Sequence, residues 1–115
     1  MIRTTRSVSW INAARKDFES FPEGAQSICL AALTIAAEGG KADIAKPMHG
    51  LGSGIFEVAL RHRGDAFRVV YAVQLGTDLW VVHAFKKKST HGSDTPKHEI
   101  DLIRERLKRL KEVLR

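Results

Sequence analysis

The residues in this chain best equipped for chemistry are fixed cations gathered around one histidine. Arg61, Arg68, His83, Lys86 and Lys87 fall in the stretch from Ile55 to Lys88, and Lys46 and His49 stand just before it. No hydrolase triad or paired-carboxylate constellation stands out. The five histidines (49, 62, 83, 91, 98) lack close ligand spacing such as His-x-x-x-His, so neither a metal site nor a cofactor is expected. This inventory suits phosphodiester chemistry on RNA without a metal. The ribose 2′-hydroxyl attacks its own adjacent phosphorus, so the nucleophile comes with the substrate. The protein must then position the backbone, neutralise charge on the pentavalent phosphorus and move protons. Arginine's fork meets two phosphate oxygens, and a histidine near its ordinary pKa of about 6.5 can trade protons.

Each candidate also has a plainer reading. Arg68, between apolar neighbours in mid-strand, serves equally as half of a structural ion pair with Glu57 or Asp65, and Arg61 has the same alternative. His83 is otherwise a satisfied core histidine. Lys86 and Lys87 are otherwise the solvated end of a strand, which discourages edge pairing. Lys46 and His49 are otherwise ordinary loop cations.

The elements that must position these groups are legible from periodicity. Ile55–Arg61, Phe67–Val73 and Leu79–Phe85 are β-branched and aromatic runs separated by Arg63-Gly64-Asp65 and Gly76-Thr77-Asp78, the pattern of consecutive hairpins. A two-residue type II′ turn at Gly64-Asp65 sets Phe56, Val58, Leu60, Val69, Tyr71 and Val73 on one apolar face. The same register puts Arg61 directly opposite Arg68, two like charges that an anion would bridge. A two-residue second turn adds Val81, His83 and Phe85 to the arginine face; a three-residue turn reverses them. The arginine face then reads as a shallow concave surface rather than a second core, and Tyr71 as core.

Before the meander, Ser7–Ile11 alternates as a short strand. Asn12 is placed to cap a helix through Phe18, and Pro22-Glu23 opens a second helix that Gly39-Gly40 ends. Cys29 lies in that helix's apolar stripe as a small buried thiol. The glycines of Lys46–Gly54 precede a strand instead of following one, which argues against a nucleotide-binding loop. After a polar loop from Ser89 to Asp94, Thr95 is placed to cap a last helix with Pro96 in its first turn. Its stripe is Ile100, Ile103, Leu107, Leu110 and Leu114, with Arg104, Arg106, Lys108, Arg109 and Lys111 on the remaining faces.

Length and composition fit this plan. The 115 residues, 43% hydrophobic and 28% charged, read as one globular domain over residues 1–115, and the net charge of +6 points to a polyanionic partner. A single cysteine rules out an intrachain disulfide and a cysteine-rich zinc site. No apolar run is long enough to span a membrane and no signal peptide is evident, so a reduced, cytoplasmic protein is expected.

Several motifs, in order, resemble one family. They are Lys46-Pro47, Gly50-Leu51-Gly52-Ser53-Gly54-Ile55-Phe56-Glu57, Phe67-Arg68-Val69-Val70-Tyr71, His83-Ala84-Phe85-Lys86-Lys87, and Thr95-Pro96 opening the last helix. Over residues 7 to 112 the chain is similar to the HigB-like killer proteins, a phage-derived branch of the RelE/ParE toxin superfamily. The resemblance implies a compact α/β (α+β) domain, a twisted antiparallel sheet of about four strands ordered β-α-α-β-β-β-α with flanking helices. It further implies a type II toxin that cuts mRNA on the ribosome and is held inactive by an antitoxin, often of helix-turn-helix type. By position, Arg68 matches a superfamily phosphate contact, Lys87 a basic residue after the last strand, and Lys46 and Arg61 basic positions flanking the cleft. The chain departs from the RelE branch at Glu57 and Ala59, where that branch carries lysines, and it has no counterpart before Thr95 of the catalytic tyrosine in some relatives. Two other readings stay open: a gyrase poison of the ParE type, which needs no cleavage residues, and a non-catalytic nucleic-acid-binding module using the basic final helix.

Overall fold

Side-chain alternation organises the structure, a computed structural model that describes residues 5–87 and 95–114. The elements are β1 (Val8–Trp10), α1 (Asn12–Glu19), α2 (Glu23–Ala37), β2 (Ala45–Pro47), β3 (Ile55–His62), β4 (Asp65–Leu75), β5 (Asp78–Lys87) and α3 (Lys97–Val113). They form a mixed α+β fold in which one sheet, ordered β1-β5-β4-β3-β2, is flanked by three helices. All neighbours are antiparallel except β1, which runs parallel to β5 along Leu79–Val81. The sheet has five strands, where the sequence suggested about four. The additional one, Ala45-Lys46-Pro47, is too short to show a period, and its proline is tolerated because β2 is an edge. Lys88 and the polar loop Ser89–Asp94, with His91, lie outside the described residues.

The helix ends obey local chemistry, though not always through the expected residue. Gly39, at φ +96°, takes the left-handed turn that closes α2: its N–H donates to Ala36 O (3.0 Å) and that of Gly40 to Ile35 O (2.9 Å). These two bonds are a Schellman motif. At α1, Ile11 occupies the cap position and Asn12 is already helical, with no side-chain cap bond. At α3, Pro96 is the cap residue, and the Thr95 hydroxyl, expected to cap, donates instead to Glu57 Oε2 at 2.7 Å.

The β3–β4 turn is centred on Arg63-Gly64, at φ +52° and +87°, with His62 opposite Asp65. Two positive φ values mark a type I′ turn, whose twist suits a two-residue hairpin. The expected Gly64-Asp65 turn is therefore displaced, and the pairing slides by two residues. An even slip keeps every side chain on its expected face while changing its partner. Arg61 faces Ala66 and Arg68 faces Ala59, so the predicted pairing of the two arginines does not form. The second hairpin has the two-residue turn, Gly76-Thr77 between Leu75 and Asp78. The ladder then shifts twice: an irregularity between Ala72 and Leu75 moves Val81 to the other face, opposite Tyr71, and a bulge at Val82 returns His83 to the Arg68 face, opposite Val70.

Both faces of the sheet carry a core. Val58, Leu60, Phe67, Val69 and Tyr71 pack with Ala14, Phe18, Phe21, Cys29 and Leu33 of the α1–α2 side. On the opposite face Ile55, Val70, Ala72 and Val82 pack with Ile103, Leu107 and Leu110 of α3. The expectation of a shallow open surface on this second face is overturned. The last helix lays its apolar stripe over half of it, and each side chain as fully buried as Ile103 or Val70 contributes about 1.5–3 kcal/mol.

Candidate functional site

The part of that face towards the start of α3 holds most of the candidate residues, arranged by the pairing register in three rows. The first row is Arg61, Ala66 and Lys87; the second is Ala59, Arg68 and Phe85; the third is Lys46, Glu57, Val70 and His83. Five of the seven candidates, Arg61, Arg68, Lys87, Lys46 and His83, thus share one side of the sheet. Ala59, half-buried, and Ala66, buried at 6% exposure, stand between the cations. Lys86 alternates to the other face, opposite Phe67, and pairs with Asp65 at 3.2 Å. His49 lies apart, exposed in the loop between β2 and β3.

Arg68 is only 8% exposed. Its Nη1 donates to Glu57 Oε1 at 2.9 Å, and Glu57 Oε2 accepts from Thr95 Oγ1. Of the two structural pairings open to Arg68 in the sequence, that with Glu57 is the one formed, while Asp65 is taken by Lys86. The result is a chain of polar contacts from β4 through β3 to Thr95, two residues before α3. Lys87 is also buried at the strand end, whereas Arg61 and Lys46 are exposed.

His83 is 2% exposed and both ring nitrogens are engaged. Arg106 Nη1 lies 2.8 Å from Nδ1 and also donates to Val82 O at 3.1 Å. Arginine can only donate, so Nδ1 is the acceptor and the proton sits on Nε2, which donates to Glu99 Oε1 at 2.9 Å. Burial holds the His83 pKa below its ordinary value and Arg106 pushes the same way, with Glu99 and Asp17 opposing. Neutral, stacked on Phe85 at 5.1 Å, and with no lone pair open to solvent, this imidazole fastens α3 to the sheet. It lines a small cleft of about 290 Å³ between α1, β5 and α3, with Asp17, Ser20, Lys86 and Glu99 also on the wall.

Among the described residues no group of three or more histidine, cysteine, aspartate or glutamate side chains could hold a metal ion. No helix among them is long and apolar enough to cross a membrane.

A family model described as Phage derived protein Gp49-like (DUF891) matches residues 16–108. The chain belongs to this family. The matched span of this Gp49-like protein runs from α1 into α3 and so contains all three rows of the candidate face. Membership is compatible with the toxin of a toxin–antitoxin pair. Among curated proteins none matches the chain.

Three partners of the candidate residues were not singled out in the sequence: Thr95, Glu99 and Arg106. Thr95 carried the signal of a helix start and Glu99 stands in the first turn of that helix, positions that hid their use as partners of the sheet. Arg106 was counted with the solvated charges, although it lies next to Leu107 at the edge of the apolar stripe.

Proposed function

We propose that this Gp49-like protein is the toxin of a type II toxin–antitoxin pair and that it cuts mRNA without a metal. The observation that carries the reading is the placing of Arg61, Arg68 and Lys87 in adjacent rows of one face, around two alanines. A phosphodiester brought to the rim of this face meets exposed Arg61 first, with the largely buried Arg68 and Lys87 behind it. In the proposed reaction the ribose O2′ gives its proton to water and bonds to phosphorus, the O5′ bond breaks and O5′ takes a proton from water, and a 2′,3′-cyclic phosphate and a 5′-hydroxyl result. Arg68 and Lys87 take the non-bridging oxygens, where charge grows in the transition state. Arg61 and Lys46 hold neighbouring phosphates, which position the chain without reading its sequence. Glu57 competes with the phosphate for Arg68, so substrate binding exchanges one charge-assisted bond for another. His83 supports α3 in this scheme instead of trading protons.

The natural setting of such a reaction is the ribosome in the cytoplasm, with an antitoxin, of helix-turn-helix type in the resembled family, holding the toxin in check. Induction of the chain alone should arrest growth and give codon-phased 5′ ends on a reporter mRNA. Glu57→Leu/Arg68→Met, which removes the arginine without leaving the carboxylate unmatched, should abolish both. Intact mRNA with DNA damage would instead mark a gyrase poison, and arrest that persists in the double variant would remove Arg68 from the site.

A further inference from the structure

The glycine run Gly50-Leu51-Gly52-Ser53-Gly54 serves no nucleotide motif, yet the fold gives it a neighbour. α3 passes beside it, and the two enclose a groove of about 430 Å³. From the helix come Arg104, Lys108 and Lys111, and from the loop the bare backbone at Gly50 and Gly52. The Arg104 Nη2 donates to Gly50 O at 3.4 Å, and the Lys111 Nζ lies 3.7 Å from where a Cβ on Gly52 would stand. Gly50 and Gly52 adopt φ of +83° and +96°, values that L side chains rarely take, so the loop wall stays low beside the cations. Glu112 is the one acid on the wall. Asp101 lies 3.7 Å from Arg104 in a well-solvated pair that contributes little.

The three cations are spaced as one stripe. At 1.5 Å per residue, Arg104 to Lys111 spans about 10 Å along the helix axis. α3 starts beside the Glu57 and His83 row, and its three cations lie against the loop that follows Pro47 at the end of β2, the strand that carries Lys46. A polyanion that leaves the candidate face by way of Lys46 therefore meets further cations on this side of the sheet.

We infer that this groove is a second phosphate site, which holds the single-stranded RNA backbone beyond the segment that lies on the Arg61–Arg68–Lys87 face. The inference rests on the proposed RNA reading for its ligand, but it concerns binding, not cleavage. Lysine acts there as a point charge, so contact is independent of base sequence.

The test separates the two. A 2′-O-methyl oligoribonucleotide has no free 2′-hydroxyl and cannot be cut by the proposed reaction, so its affinity reports binding alone. In the full chain, Lys108→Gln/Lys111→Gln removes two contacts. At about 0.7 per phosphate for a single strand, the slope of log affinity against log salt should fall by about 1.4. Relative to 1 M salt this is about a 25-fold loss of affinity at 0.1 M. Arg15→Gln/Lys16→Gln on α1 removes the same charge from exposed positions on the other side of the sheet and should leave the slope in place. An unchanged slope in the Lys108/Lys111 variant overturns the inference. So does an equal fall in both variants, which would mean only a long-range field. Lack of RNA cleavage by the wild type would defeat the proposed function and leave this result standing.

Discussion

The Arg68–Glu57 pair makes a demand that ordinary loss-of-function mutagenesis would misread. Its side chains are 9% and 12% exposed, so either charge left alone is poorly hydrated. Removing one member of a buried pair costs about 3–5 kcal/mol, whereas replacing both by apolar groups of similar size is often close to neutral. Arg68→Met removes the charge opposite Glu57, whose Oε2 still accepts from Thr95, and Glu57→Leu removes the carboxylate that lies 2.9 Å from the guanidinium. At roughly 4 °C per kcal/mol for a chain of this size, each single change should lower Tm by about 12–20 °C. The double variant Glu57→Leu/Arg68→Met should recover most of that loss. Urea unfolding of the four proteins gives the coupling energy, expected at about 2–3 kcal/mol or more. The double variant then has a folded face without its arginine, and it should not cut RNA. Single changes that cost under about 1 kcal/mol and simply add would refute the view that this pair is structural as well as functional.

Three further outcomes follow from the same geometry. Arg63 adopts φ +52° beside Gly64 in a type I′ turn, so Arg63→Asn, which creates the favoured Asn-Gly pair, should raise stability by about 0.5–1 kcal/mol in a urea titration. The folded pKa of His83 lies below its ordinary 6.5, so its stabilising contribution is complete above that pH and is lost as the pH falls below it, because the unfolded chain takes up the proton first. Between pH 8 and 5 wild type should therefore lose more stability than His83→Asn, by up to about 1.4 kcal/mol per pH unit, and parallel curves would contradict the assignment. Burial pushes the Cys29 thiol up to about 12, so it should react with a disulfide reagent only when the chain opens, at a rate that rises with urea.

Much of the fold could be read from the residues, and the gaps have physical causes. Gly39-Gly40 ends α2 as its chemistry demands, and the alternation of β3 and β4 assigns Val58, Leu60, Val69 and Tyr71 to the α1–α2 core. The register itself was less legible, because the turn places an arginine at positive φ, a choice that residue preferences disfavour. The bulge at Val82 leaves no mark in the period of β5. The apolar stripe of α3 was plain, but a stripe does not name the surface it covers; here that is Ile55, Val70, Ala72 and Val82. Within the site, the cations were legible by type. Their tethering was not: Arg68 to Glu57, and His83 to Glu99 and Arg106, depend on strands and a helix that meet only in the fold.

The most direct measurement is the chemistry of the ends left on RNA. Wild type, Arg68→Lys and the Glu57→Leu/Arg68→Met protein, each expressed alone, can be compared by sequencing that separates 5′-hydroxyl from 5′-phosphate termini. Attack by the neighbouring 2′-hydroxyl predicts new 5′-hydroxyl ends, paired with 2′,3′-cyclic phosphates, in wild type. They should be sharply reduced when lysine replaces the arginine fork and absent from the double variant. New 5′-phosphate ends, or growth arrest with no new RNA ends at all, would contradict it.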